Sequence, residues 1–214
     1  MPNWATSLLV ITLTRLNQLP EVRAASVDWL LKWRSKHLEA NTVVDLNGNL
    51  IGWPWISDTF SWVHPTSFAI LALKVAGQKN HERIKEGEFL LLDRVCYQGG
   101  WNFGNPAVLK QPIDPAVVDT AIALFALQDL RDAQPDVEKG LVILESNAPK
   151  FPSALSLSLS ILCLNIYNRP VGKLVDLLLK RQETDGSWRQ MVWWTALAVM
   201  ALRAADGGEN AFKI

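Results

Sequence analysis

Three tryptophans, each placed just after a glycine in a turn-like setting, divide this chain into repeats. Gly52-Trp53, Gly100-Trp101 and Gly186-Ser187-Trp188 each precede a helix-forming, apolar segment, at 67–73, 120–127 and 195–202. The first two Gly-Trp pairs stand 48 residues apart, a spacing typical of stacked or circularly arranged repeats. Residues 6–13 read as another copy of the same helix. Residues 153–167 read as a degenerate copy, with Phe151-Pro152 where a Gly-Trp would stand.

Charged segments lie between these apolar ones, at 21–39, 79–94, 136–145 and 173–183. Their apolar positions recur at helical spacing, so they read as amphipathic helices with one solvated face. By contrast, 153–167 has no charged residue and 192–205 has only Arg203. A helix that is apolar all round must be covered all round. The chain therefore alternates five buried helices with four half-exposed ones. No segment sustains a period-two pattern, so essentially no sheet is expected. Pro20, Pro65, Pro115, Pro135 and Pro170 fall at starts or junctions, where the missing amide is tolerated. The expected fold is all-α, one domain over residues 1–214. Its charge-poor helices favour a two-layered ring (an α/α toroid, partial or open) over a solenoid, whose helix pairs keep polar surface. Such a ring encloses an apolar, aromatic cavity, and an apolar cavity selects apolar ligands.

Charge narrows the partners. Lys plus Arg and Asp plus Glu are 21 each, so the chain lacks the basic footprint that nucleic acid requires. Two cysteines, Cys96 and Cys163, and three histidines exclude a disulfide scaffold and argue against a zinc cage. Both cysteines read as small hydrophobes, and no metal or cofactor is expected. No apolar run reaches the roughly 18 residues of a spanning helix, which leaves only peripheral contact with a membrane. The first residues carry no positive stretch ahead of the apolar segment, so a cytoplasmic location is expected.

Gln182-Glu-Thr-Asp-Gly-Ser-Trp188 resembles the Gln-x-x-Asp-Gly-Ser-Trp repeat of squalene and hopene cyclases, and of the wider prenyltransferase and squalene-oxidase repeat superfamily. The stretches 98–104 and 52–55 are similar to the glycine-tryptophan turns of that group. The run 52–73 resembles bacterial members without an established activity. The resemblance implies an α/α toroid whose cavity takes an isoprenoid, and an isomerase of the terpenoid-cyclase kind. The cyclases donate a proton from the middle aspartate of Asp-x-Asp-Asp-Thr. The matching stretch here is 116–120, Ala-Val-Val-Asp-Thr, so Val118 stands where that acid would be. The zinc-binding Asp-x-Cys of the protein prenyltransferases has no counterpart, since the Asp-Thr pairs are followed by Phe60 and Ala121. A complement-type thioester motif is absent as well.

Three side chains are candidate acids. Asp119 opens the most apolar turn of an inner helix, where the helix N-terminal charge also suits a carboxylate. Asp58 precedes another inner helix and also reads as its N-cap. His64, beside Trp62 at a helix start, also reads as a buried, hydrogen-bonded histidine. Trp53, Trp55, Trp62, Trp101, Phe103, Trp193 and Trp194 offer faces that steady a cation, or else form core. Gln182, Gly186 and Trp188 read as scaffold, with the glutamine capping the next helix. Asp114-Pro115 reads as a helix cap and first residue.

Two uses follow. One is an isoprenoid-binding or isoprenoid-processing ring. The other is a non-catalytic ring that binds a partner, or a second copy, through an open apolar edge. An α-solenoid adaptor is the third architecture.

Overall fold

A computed structural model describes residues 3–39 and 43–214. Met1 and Pro2, on which the reading of the N-terminus partly rests, lie outside the described residues. The described chain is all-α apart from one two-residue hairpin. Nine helices run α1 (Asn3–Leu16), α2 (Pro20–Lys32), α3 (Val63–Val75), α4 (Glu82–Asp93), α5 (Val117–Ala126), α6 (Pro135–Asn147), α7 (Ala154–Ile166), α8 (Gly172–Leu179) and α9 (Val192–Ala205). Strands β1 (Ala107–Val108) and β2 (Gln111–Pro112) pair antiparallel within the α4–α5 connection. Helix α2 stops at Lys32, short of the 21–39 expected from its charge pattern, so His37 falls in an exposed extended stretch rather than on a helix.

The packing order alternates as expected, but α1 and α9, expected to be buried all round, bury one side only: α1 leaves Trp4, Leu9 and Leu16 exposed, and α9 leaves Val192, Trp193 and Val199 exposed. Each odd-numbered helix packs on the next odd one, and each even-numbered helix packs on the odd one before it. Helices α3, α5 and α7 are buried almost throughout, while the even-numbered helices bury only a stripe. One continuous core runs from Val10 to Phe212.

The Gly-Trp corners hold the two layers together through one repeated set of bonds. The fourth residue of α3, α5 and α9 is a threonine: Thr66, Thr120 and Thr195. Its hydroxyl oxygen accepts the backbone N–H of Trp53 at 2.9 Å, of Trp101 at 2.9 Å and of Trp188 at 3.1 Å. The indole N–H then reaches back to the end of the preceding outer helix. Trp53 donates to Leu30 O of α2, Trp101 to Leu91 O of α4 and Trp188 to Leu178 O of α8, at 2.9, 2.7 and 2.9 Å. Each bond ends on a carbonyl of the last turn of a helix, where intrahelical partners run out; Leu91 O and Leu178 O also accept the backbone N–H of Arg94 and Arg181.

This geometry explains why glycine precedes tryptophan. A Cβ on Gly52 would lie 2.4 Å from Thr66 Oγ1, and one on Gly100 would lie 3.0 Å from Thr120 Oγ1. A second glycine receives the far edge of the ring. Gly87 of α4 meets Trp53 and Gly140 of α6 meets Trp101, where an added Cβ would stand 2.9 and 2.6 Å from Cζ3. Arg83, itself buried, lies over the Trp53 ring at 4.0 Å.

The C-terminal segment folds back into the middle of the molecule. Phe212 packs against Phe68 of α3 and Phe125 of α5, with ring centroids 6.4 and 4.9 Å away. Gln128 donates to Phe212 O at 2.9 Å, Asn210 donates to Leu162 O of α7 at 2.9 Å, and Arg15 of α1 donates to Ala211 O at 3.0 Å.

Gly140→Ala is expected to cost about 1–3 kcal/mol by overpacking against Trp101, although alanine favours a helix by about 1 kcal/mol. Gly172→Ala, where nothing lies within 4 Å, serves as the control and is expected to be neutral or stabilising. Thr120→Val is expected to cost about 1–3 kcal/mol, because the buried N–H of Trp101 loses its acceptor. Urea unfolding checks all three.

Candidate functional site

The second residue of every odd-numbered helix faces one shared cavity. These residues are Trp4 of α1, His64 of α3, Val118 of α5, Leu155 of α7 and Trp193 of α9. One turn deeper, Phe68, Ile122 and Leu159 continue the wall, and Trp55 closes it from the α2–α3 connection. The volume is about 210 Å³. Phe68, which lies deeper in the wall, rests on Phe212 of the folded-back tail. Trp4 and Trp193 remain 37% and 41% exposed, so the wall is partly open to solvent at these two indoles. Helices α1 and α9 face each other across an adjoining cleft of about 270 Å³, lined by Leu8, Ile11, Leu197 and Met200.

The threonine register dictates this placement. The Thr–Trp bonds fix how α3, α5 and α9 rotate about their axes, and two residues before the threonine is then the central side. Helix α1 has Thr6 in the same fourth position. Helix α7 has no Gly-Trp corner, and a local cap replaces it. Ser153 accepts the N–H of Ser156 at 3.0 Å while Ser156 accepts the N–H of Ser153 at 2.9 Å, the reciprocal pattern of a capping box.

Two candidate acids come together. His64 Nδ1 lies 3.7 Å from Asp119 Oδ1, both mostly buried, and the His64 ring packs on Trp55 at 4.7 Å and Phe68 at 5.2 Å. Among the described residues, His64 is the one ionisable side chain lining the cavity, and Asp119, outside the lining, lies beside it. Val118 occupies the corresponding position on α5, so that helix presents hydrocarbon to the cavity. Asp58 lies elsewhere. It is 81% exposed, 3.6 Å from Lys36, and four residues before Trp62, which takes the N-cap position of α3. Asp114 does not cap α5, which begins after Ala116; it accepts instead from Gln98 at 2.9 Å.

The aromatic candidates divide the same way. Trp55 and Trp193 line the cavity. Trp53 and Trp101 are fully buried corner residues and face away from it. Trp62 and Phe103 line a shallow outer hollow with Trp55 and Asp58. Trp194 packs against the core. Gln182 does not cap the next helix; it donates to Gly186 O within its own turn at 2.9 Å. Trp4, Phe68, Ile122, Leu155 and Leu159 were not singled out by composition, yet aligning the repeats on their threonines, with α7 by its first turn, places every one of them.

Neither cysteine joins the site. Burial pushes the Cys96 thiol up to about 11 and raises that of Cys163 well above its ordinary value, so both stay protonated and unreactive near neutral pH. Among the described residues, no group of three or more His, Cys, Asp or Glu side chains gathers to hold a metal, and no helix is long and apolar enough to cross a membrane. No protein-family model matches the chain, and no curated protein matches it.

Proposed function

We propose that the chain is a small α/α toroid of the squalene-cyclase-like kind, and that its central cavity binds an apolar ligand. The ligand class is a short isoprenoid, or the leading end of a longer one. One observation carries this reading: all five odd-numbered helices contribute the same position to a single aromatic and aliphatic hollow. Apolar walls favour hydrocarbon through burial. The indoles of Trp4, Trp55 and Trp193 add faces that suit unsaturated or cationic groups. His64, with Asp119 3.7 Å away, supplies the polar contact for a hydroxyl at one end of the ligand. A volume of about 210 Å³ falls below the roughly 300–1,000 Å³ of drug-sized sites, which argues for a short chain.

Binding without turnover fits these residues best. Protonating an alkene needs an acid held neutral and aimed into the cavity, and the corresponding position holds Val118. Were the cavity catalytic, its proton would have to come from the His64–Asp119 pair, and Asp58 would take no part.

Tryptophan fluorescence titrated with geraniol is expected to change saturably. Leu159→Trp, which fills the cavity, is expected to weaken that binding about tenfold or more, equivalent to about 1.4 kcal/mol. Equal binding by the parent and Leu159→Trp would contradict the assignment. Mass spectrometry after incubation with geraniol or squalene is expected to return them unchanged. A product formed by the parent and lost in Asp119→Asn would replace this reading with acid-initiated isomerisation.

A further inference from the structure

The outer face of α9 repeats, position for position, the faces that α4 covers on α3 and α6 covers on α5. Aligned on the shared threonine, Val192 corresponds to Val63 and Val117, Val199 to Ile70 and Leu124, and Arg203 to Lys74. Ile70 and Leu124 are completely buried. An added Cβ on Gly87 would stand 2.9 Å from Ile70, and one on Gly140 would stand 3.3 Å from Leu124. Val199 is 55% exposed, because among the described residues no helix packs over it. Trp188, Val199 and Leu202 instead border an open groove of about 860 Å³, whose other wall is Val175 and Leu179 of α8.

The α3–α4 repeat, whose lysine position α9 matches with a cation, indicates what would fill that groove; in the α5–α6 repeat Gln128 and Leu141 stand in the places of Lys74 and Glu88. On α3 the buried Lys74 amine reaches Glu88 of α4 at 2.6 Å, and Glu88 directly follows the glycine that receives Trp53. Arg203 occupies the lysine's position and has no ion pair among the described residues. A complementary helix would thus carry glycine followed by an acid. Among the described residues, no segment of the chain lies there. After α3 and α5 the chain leads into the covering helices, whereas after α9 it turns inward at Gly207 (φ 84°) to deliver Phe212 to the centre. A second copy has no such helix to lend, since each even-numbered helix is already packed on the odd one before it.

We propose that the groove beside α9 docks an amphipathic helix of a partner protein. Its glycine would sit over Val199, as Gly87 sits over Ile70, and its acidic residue would reach Arg203; Trp188 is already buried and forms the floor of the groove. The proposal stands on the packing of the repeats and is independent of what the central cavity binds.

The α4 sequence, His81–Arg94, is the probe. Isolated helices of this length are marginal in water, so the peptide carries Phe89→Glu, closed by a lactam to Lys85 on its solvent face. Fluorescence anisotropy with the full chain is expected to show saturable binding. Gly87→Leu in the peptide, or Val199→Glu in the protein, is expected to weaken it about tenfold or more. Glu88→Lys in the peptide is also expected to weaken it, and Arg203→Glu in the protein to restore it, as a paired charge reversal should. No saturable binding by the locked helix, or binding indifferent to Val199→Glu, would overturn the proposal. A dimer that Val199→Glu dissociates in sedimentation would overturn it in favour of a second copy.

Discussion

The structure depends on the hydrogen bond between a tryptophan backbone N–H and a threonine hydroxyl on the following inner helix. That bond sets the rotation of the helix, and the same tryptophan joins three elements at once. Its indole N–H closes the end of the preceding outer helix. Where an outer helix follows, the ring edge seats on its glycine. A large aromatic with one polar atom suits this role, because it buries much area while its N–H finds a partner. The layers are therefore fastened by a few directional bonds at the corners. Non-directional apolar packing fills the rest.

Once rotation is set, the central space follows. Residues two before the threonine point to the middle, and those one turn deeper line the wall below them. The folded-back tail fills the space beyond Phe68 with Phe212. A polar pair and a hydrocarbon surface then meet at one place, where His64 touches Trp55 and Phe68 while Asp119 approaches it from α5. At α9, among the described residues, no outer helix follows the corner, and Val199 stays exposed where Ile70 and Leu124 are buried.

Much of this was legible in the residues. The near absence of charge in 153–167 and 192–205, against the mixed charge of 79–94, already separated the two layers and counted five helices against four. Gly-Trp spacing located the corners. Less legible was which aromatic faces where. Trp53 and Trp193 differ little in composition of surroundings, and only the hydrogen bonds that turn one toward the outer layer and the other toward the centre distinguish them. Asp58 misled because a polar pair before an apolar run looks like a helix cap. The chain instead takes a left-handed turn there (φ 63°) and starts the helix after Trp62. Gln182 misled in a similar way, because a side chain on a tight turn bonds more readily to its own turn than across to a neighbouring helix.

The most direct test of a central apolar hollow is a crystal held under xenon, which enters dry apolar cavities without needing a polar contact. Anomalous density bounded by Phe68, Ile122 and Leu159 is expected. Density confined to the α8–α9 groove or the outer surface, with nothing between those three side chains, would contradict it.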